Sequence, residues 1–373
     1  MKNLRIGMIG TGYMGKAHAI AYRNASAVFP LTASIECEMI ADVNVDLAKQ
    51  KAEEFGFNRY TDEWQQLVSD PNIDIVDICA PNFLHKDIAL AAIKNGKHVY
   101  SEKPLALNSE DAKIMTLAAE EAGVKTLTGF NYIKNPTVQL AKQIIANGEI
   151  GDVVHFRGTF NEDYLADEKV PFSWRLKREF SGTGALGDMG SHIINMAQFL
   201  VSPISSLCAD MSTVNKTRYE PNNTTPQTIE NDDQVHMMVR FENGAIGTIE
   251  SSRIAWGRKN GLWFEVTGTK GTIIYDQEHL SELQLFTAED QKARQGFRTI
   301  LTGPEHPDYE NFCVSAGHGL GYNDMKAVEI RDLIEGIASD APMWPDFRAA
   351  WEVTKVIDAA EDSYKNATWV NLE

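Results

Sequence analysis

Through the first third of the chain, compact apolar runs alternate with stretches in which apolar residues recur every three or four positions. Residues 4–9 form a short apolar run closed by Gly10, and from Tyr13 to about Arg23 the period is helical. Residues 36–41 predict a second strand ending at Asp42, and 45–55 a helix with Ala48, Ala52 and Phe55 on one face. The interval 24–35 reads as an inserted loop. Residues 73–80 are apolar almost throughout, as in a parallel strand covered on both faces. A helix over 88–94 stops at Gly96, and 98–101 resumes as strand. Ser109 is a good N-cap for a helix that Gly123 ends, and 125–129 is again strand. Strands alternating with helices imply a doubly wound parallel sheet and an α/β class.

After Asn131 the pattern changes. One helix over about 137–146 and a strand-like run over 153–160 precede a helix carrying Asp188 and His192. Alternating segments then follow at 234–241, 245–253, 262–268 and 271–275. Turns such as Glu242-Asn243-Gly244 and Gly268-Thr269-Lys270-Gly271 join several of them, which is the signal for hairpins. This part predicts a mainly antiparallel sheet with helices on it. A long helix over 346–365 could pack on either domain. With 373 residues the chain is too long for one ordinary core, and the division expected is 1–130 and 131–373.

The formal net charge of −17 argues against nucleic acid or an anionic membrane as a partner. It does not argue against a phosphorylated cofactor, because backbone amides bind pyrophosphate without net positive charge. Cys37, Cys79, Cys208 and Cys313 are scattered without Cys-x-x-Cys spacing, and the first two lie in apolar runs where cysteine packs as a small hydrophobe. Met1 leads almost directly into a strand, with no room for a signal peptide, and no apolar stretch reaches the ~20 residues of a membrane span. A reducing cytoplasm is the expected compartment.

Candidate chemistry begins at Gly10-Thr11-Gly12-Tyr13-Met14-Gly15, a Gly-x-Gly-x-x-Gly between a strand and a helix, the context that makes the pattern a dinucleotide site. Asp42, at the end of the second strand, is placed to hold the adenosine ribose. Neither Val43 nor Asn44 offers a cation for a 2′-phosphate, so NAD is favoured, with NADP possible. Ala80, Pro81, Asn82 and His85 follow the third strong strand, where a loop could run beneath the nicotinamide. Lys103 lies between Glu102 and Pro104 at the carboxyl end of a strand, where ligands bind in such sheets. Proline restrains the preceding residue to extended geometry, and a positioned ammonium there would stabilise an alkoxide-like oxygen. Asp188 and His192 are four residues apart and share a helical face. A histidine can take an alcohol proton near neutral pH while an aspartate orients it or a substrate hydroxyl. Asn195 extends that face. Asp-x-x-x-His supplies two metal ligands with no nearby third, so no metal is expected.

Glycines 10, 12 and 15, Glu102-Lys103-Pro104, Gly129-Phe130-Asn131-Tyr132, Asp188-x-Gly190-x-His192 and Val266-Thr267-Gly268-Thr269-Lys270-Gly271, in this order and spacing, resemble the glucose–fructose oxidoreductase / inositol dehydrogenase / rhizopine catabolism (Gfo/Idh/MocA) family. The resemblance runs essentially from end to end. It implies a Rossmann domain followed by an α+β domain with a large, open-faced antiparallel sheet that commonly makes a homo-oligomer, here a dimer or tetramer. It also implies Lys103, Asp188 and His192 as the reacting set, with His192 the acid/base. Glu102, Lys103 and Asn131 join the glycine loop, Asp42 and the 80–85 loop around the cofactor. Where the family often has Arg-Phe after Asn-Tyr this chain has Ile133-Lys134, and where an aspartate commonly follows the histidine by three it has Asn195.

The expected activity is hydride transfer between a nicotinamide and a secondary alcohol of a sugar, inositol or related cyclic polyol. Tyr164, Trp174, Arg175, His318 and Tyr322 are further candidate substrate contacts. Two alternatives use much of the same sequence. One is a lyase or epimerase that recycles bound NAD, and the other is a dinucleotide-sensing regulator without turnover. The Lys103/Asp188/His192 set speaks against the second, since a sensor needs no acid/base pair.

Overall fold

The computed structural model describes residues 2–221 and 225–372, and the chain divides into two compact units. The first comprises Met1–Lys134 with Gly321–Trp351, and the second Asn135–Leu320 with Glu352–Glu373. The sequence pattern placed all of 131–373 in a second domain. By contacts, residues 321–351 group instead with the first unit, and the boundary falls inside the long C-terminal helix.

In the first unit, strands β1 (Lys2–Ile9), β2 (Ala33–Ala41), β3 (Arg59–Thr61), β4 (Ile75–Ile78), β5 (His98–Ser101) and β6 (Thr126–Thr128) form a parallel sheet in the order β3-β2-β1-β4-β5-β6. Helices α1 (Tyr13–Val28), α2 (Val45–Phe55), α3 (Trp64–Ser69), α4 (His85–Lys94) and α5 (Ser109–Ala122) alternate with them. This is the doubly wound Rossmann order, and its switch point lies between β1 and β4. Ile75, Val76 and Ile78 of β4 are fully buried, as the apolar run predicted. The expected loop over 24–35 is not there: α1 continues to Val28 and β2 begins at Ala33. Ala21 and Ala25 carry the buried face of the helix into that interval, and the capping residue Phe29 is buried one turn further on. The N-cap of α5 is Asn108 rather than Ser109, its side chain accepting the Asp111 amide.

The second unit contains α6 (Pro136–Ala146), β7 (Val153–Asn161), α7 (Arg178–Ser181), α8 (Ser191–Leu200), β8 (Ile204–Ser212), the short pair β9 (Thr217–Tyr219) and β10 (Pro226–Thr228), then β11 (Gln234–Phe241), β12 (Ile246–Ser252), β13 (Gly261–Gly268), β14 (Gly271–Asp276), β15 (Glu282–Thr287) and β16 (Arg298–Leu301). With β17 (Val370–Asn371), nine strands order as β16-β15-β14-β13-β7-β12-β11-β8-β17. The β7–β12 pair is parallel and the neighbouring pairs are antiparallel. Along β11 burial alternates strictly, with Val235, Met237, Val239 and Phe241 inside and His236, Met238 and Arg240 outside. One face therefore carries a core and the other is open.

Helix α9 (Tyr322–Ala338) belongs to the first unit, and α10 (Phe347–Asn366) crosses the division between units. The apolar pattern did not reveal α9, because its buried face includes two charged residues, Lys326 and Glu329, both at 0% exposure. They join a polar cluster in the interior of the first unit. His18 of α1 places Nδ1 2.9 Å from Asp77 and Nε2 2.9 Å from Glu102, and its ring stacks on Tyr100 at 4.7 Å. Lys326 Nζ donates to Glu102 Oε1 at 2.6 Å and lies 2.9 Å from Glu329 Oε2, while Tyr22 and Tyr100 donate to Asp77 and Glu329. His18 Nδ1, Asp77 and Cys79 Sγ come within 4.8 Å of one another. Burial pushes the Cys79 thiol up to about 12, so it stays protonated and the three form a hydrogen-bonded group. No helix among the described residues is long and apolar enough to cross a membrane.

Burial, the largest single influence, disfavours the charged form of His18, but the charge and hydrogen bond of Asp77, with the neighbouring Cys79, together outweigh it and hold the imidazole well above its ordinary value. A proton bound more tightly in the fold than in the unfolded chain stabilises the fold fully below the unfolded value of about 6.5, and the benefit is lost as pH rises through the folded value. His18→Ala should cost about 3–5 kcal/mol, the usual penalty for orphaning buried charge. It should also flatten the decline in melting temperature above about pH 6.5. Thermal melts across pH for both proteins check this; parallel curves would contradict it.

Candidate functional site

In the first unit the glycine loop sits at the sheet's switch point. Gly10 has φ 106° and its amide donates to the Ala41 carbonyl at 2.9 Å, so the chain turns tightly at the end of β1. A Cβ at Gly15 would stand 2.2 Å from the Gly10 carbonyl oxygen, so only glycine lets α1 pack this closely. Gly12 is different: nothing lies within 4 Å of where its Cβ would project. That open flank at the start of α1, with helix amides and a partial positive charge beside it, fits a pyrophosphate.

Asp42 is half-buried and ties this loop to the end of β2. Its Oδ2 accepts from the Thr11 amide at 3.3 Å and from the Thr11 hydroxyl, and its Oδ1 from the Asn44 amide at 3.2 Å. An ionised carboxylate has about four acceptor positions, so capacity remains for a ribose hydroxyl. Tyr13 is 73% exposed. Its ring and that of Tyr132 lie 6.1 and 6.2 Å from Tyr322, whose hydroxyl donates to the Met14 sulfur at 3.4 Å. Tyr322, expected at the substrate, thus stands in an aromatic group beside the glycine loop.

Ala80, Pro81 and Asn82 are half-buried at the end of β4. His85 corrects the sequence expectation. Its ring is fully buried, with Nε2 2.9 Å from the Ala80 carbonyl and Nδ1 3.0 Å from that of Pro104. Burial holds it below its ordinary value, and it clasps two loops together with no ring nitrogen left for a cofactor. Glu102 also departs from expectation, turning inward at 5% exposure onto His18 and Lys326. Burial alone would raise its pKa, but Lys326 and His18 hold it well below the usual carboxylate range. Lys103 is half-buried, and its amide donates to Glu102 Oε2 at 3.2 Å. Asn131 is 2% exposed with its Nδ2 donor unpartnered, as a group waiting for a ligand acceptor would be.

In the second unit a π-helical turn, Leu186–Gly190, runs into α8. Asp188 is half-buried, and its Oδ2 accepts from the Tyr164 hydroxyl at 2.9 Å. His192 is 6% exposed with its ring 5.8 Å from Phe160, and Asn195 is 1% exposed with no partner for Oδ1. Asp188, His192, Asn195 and Tyr164 are thereby brought to one region. The approach to this helix is held by Asp232, which sequence reading missed: its carboxylate accepts the Gly184 amide at 2.6 Å and the Leu186 amide at 2.8 Å. Burial pushes that carboxyl up, against the pull of those amides. The polar run Asn231-Asp232-Asp233 before β11 was the available signal. Arg175 lies over the Trp174 ring at 4.6 Å, and its carbonyl accepts from Asn231 at 2.8 Å. His318 is exposed, its Nδ1 3.0 Å from the Ser315 carbonyl of its own loop.

Residues 4–130 match the oxidoreductase family with an NAD-binding Rossmann fold, and residues 138–274 match the GFO/IDH/MocA C-terminal domain. The chain belongs to the Gfo/Idh/MocA family of NAD-binding oxidoreductases. It is an oxidoreductase with an NAD-binding Rossmann domain, and its similar relatives are NAD-dependent sugar and inositol dehydrogenases. A levoglucosan dehydrogenase from Pseudarthrobacter phenanthrenivorans is 39% identical, covering 100% of this chain and 99% of its own. The scyllo-inositol 2-dehydrogenase (NAD(+)) of Bacillus subtilis is 30% identical over 73% of each chain. A solved levoglucosan dehydrogenase in complex with NADH and levoglucosan superposes with a TM-score of 0.97 at 40% identity over the full length of both chains.

The open flank at Gly12 separates folding from cofactor binding. Gly12→Ala should cost the fold at most about 1 kcal/mol, the difference between glycine and alanine at an N-cap. It should still weaken NADH binding about tenfold, or about 1.4 kcal/mol. Gly15→Ala should lower the melting temperature as well. Fluorescence titration with NADH beside thermal melts checks both, and unchanged NADH affinity in Gly12→Ala would refute the placement.

Proposed function

We propose that this enzyme oxidises a secondary hydroxyl of a ring-bearing sugar or polyol, with a 1,6-anhydrosugar such as levoglucosan the first candidate. What carries the reading is the polar group on one helical stretch of the second unit: Asp188, bonded to Tyr164, His192 four residues further on, and the unpartnered carbonyl of Asn195. The full-length likeness to levoglucosan dehydrogenase supports the anhydrosugar. The inositol dehydrogenase relative keeps cyclic polyols in the panel.

NAD, when bound, supplies the acceptor for the carbinol hydride. His192 takes the hydroxyl proton as the C–H bond gives up its electron pair, leaving a ketone and NADH. Lys103 stabilises the oxygen while it carries negative charge. Asp188 orients the substrate or the imidazole, with Tyr164 fixing the carboxylate. Asn195 and Trp174 with Arg175 offer further hydroxyl and ring contacts. Gly10 to Gly15, Asp42, the 80–82 loop and Asn131 hold the cofactor, with the Asp42 carboxylate disfavouring a 2′-phosphate. The open sheet face leaves Met238 and Ile246 at 52% and 56% exposure, and Met238 lines, with Trp263, a depression of ≈ 540 Å³. This face is the surface through which the chain assembles as a homodimer or tetramer.

Purified enzyme should reduce NAD faster than NADP with anhydrosugars, aldoses or inositols. His192→Ala should lose roughly 10²–10⁴-fold in turnover, the span of one positioned acid/base group, with NADH affinity kept. Wild-type oxidation should slow as acid protonates the imidazole. Full turnover in His192→Ala would remove that residue from the chemistry, and substrate conversion without NADH release would favour a lyase or epimerase.

Assembly has its own test. Light scattering on the eluting protein should give a dimer or tetramer, and Met238→Glu with Ile246→Glu should shift it toward monomer without changing NADH affinity. A monomeric wild type would rule the sheet face out.

A further inference from the structure

Glu102 is the acidic neighbour of Lys103, yet its side chain is almost wholly withdrawn from solvent and is held from three directions. Oε1 receives His18 Nε2 at 2.9 Å and Lys326 Nζ at 2.6 Å, and Oε2 receives the backbone N–H of Lys103 at 3.2 Å. The two cationic partners are themselves fixed. His18 is anchored through Nδ1 by Asp77, and Lys326 lies 2.9 Å from Glu329. Space for the carboxylate is made by Gly129, where a Cβ would stand 2.6 Å from Glu102 Oε1. On the other side of Lys103, the Pro104 carbonyl faces His85 at 3.0 Å. The peptide that carries Lys103 is thus gripped immediately before and after the lysine by buried groups belonging to three different helices, α1, α4 and α9. A loop lysine has four side-chain torsions to order, and a fixed backbone gives them a fixed origin.

We propose that Glu102, braced by His18 and Lys326, is the positioning residue for Lys103: it sets the lysine's backbone so that the ammonium meets the reacting oxygen. This rests on the assignment of Lys103 to the reacting set. Glu102 touches neither substrate nor cofactor in this role and acts only through the N–H of its neighbour. Its charge is needed because only an ionised carboxylate satisfies both buried cations while keeping its second oxygen for the Lys103 amide. A glutamine at 102 offers one acceptor oxygen and turns a donor toward either the cations or that amide.

The test is a double-mutant cycle on single-turnover hydride transfer, with NADH affinity and melting temperature measured for each protein. Glu102→Gln should slow hydride transfer by about 10²-fold, the cost of displacing a reacting group by about 1 Å. NADH affinity should hold, and Glu102→Asp should restore part of the rate. In the Lys103→Ala background, Glu102→Gln should cost less than about twofold more, since coupled residues are non-additive. Multiplicative losses would overturn the proposal and leave Glu102 a stability element acting on the whole unit. Full turnover in Lys103→Ala alone would instead overturn the assignment of Lys103, and with it this role. If Glu102→Gln does not fold, Lys326→Gln in the same cycle removes one brace, and the same non-additivity is required of it.

Discussion

The first unit depends on the mutual pairing of charged groups that have no access to water, three carboxylates held by two cations and the hydroxyls of Tyr22 and Tyr100. Asp77, Glu102 and Glu329 face His18 and Lys326 in a space where the lysine, the histidine, Asp77 and Glu329 are all fully buried. Moving any one of these ions out of water costs several kcal/mol, and only tight reciprocal pairing returns it. Each member is therefore bound to the geometry of the others. The cluster joins α1, β4, the end of β5 and α9, so the glycine loop's helix, the strand beside it and the Lys103 peptide share one internal anchor.

That anchor explains why motifs distant in sequence recur together in this chain. Gly129 is a glycine because Glu102 occupies the place its side chain would fill. Glu102 is an acid because two buried cations need one. Gly15 answers to the Gly10 carbonyl in the same way. Such residues do not touch a ligand, but they set the positions of those proposed to do so.

In the second unit the organising device is of another kind. Asp232 supplies carboxylate acceptors for the backbone amides at the approach to the Asp188/His192 helix, and Arg218 gathers the carbonyls of Leu165, Asp167 and Val170 in the segment that follows Tyr164. Polar groups that backbone geometry would otherwise leave unpaired are satisfied by buried side chains. The result is a fixed stretch of helix with unspent capacity at Asn195.

Much of this was legible in the amino-acid sequence alone. The alternation of apolar runs and helical periods determined a doubly wound sheet followed by an antiparallel one, because burial on two faces or on one leaves different periodicities. The glycine loop was equally plain, since its residue types answer local demands of a turn and a helix start. Only the tertiary structure decided the rest. Helix α9 was invisible because Lys326 and Glu329 break its apolar face, and their burial is tolerable only beside Glu102 and Tyr100, more than 200 positions away. His85 was read as a cofactor contact from the loop it stands in, and Glu102 from the motif it shares with Lys103. The fold spends both on its own interior, since a buried polar group must be paired wherever the nearest partner lies, and that is settled by packing rather than by sequence neighbourhood.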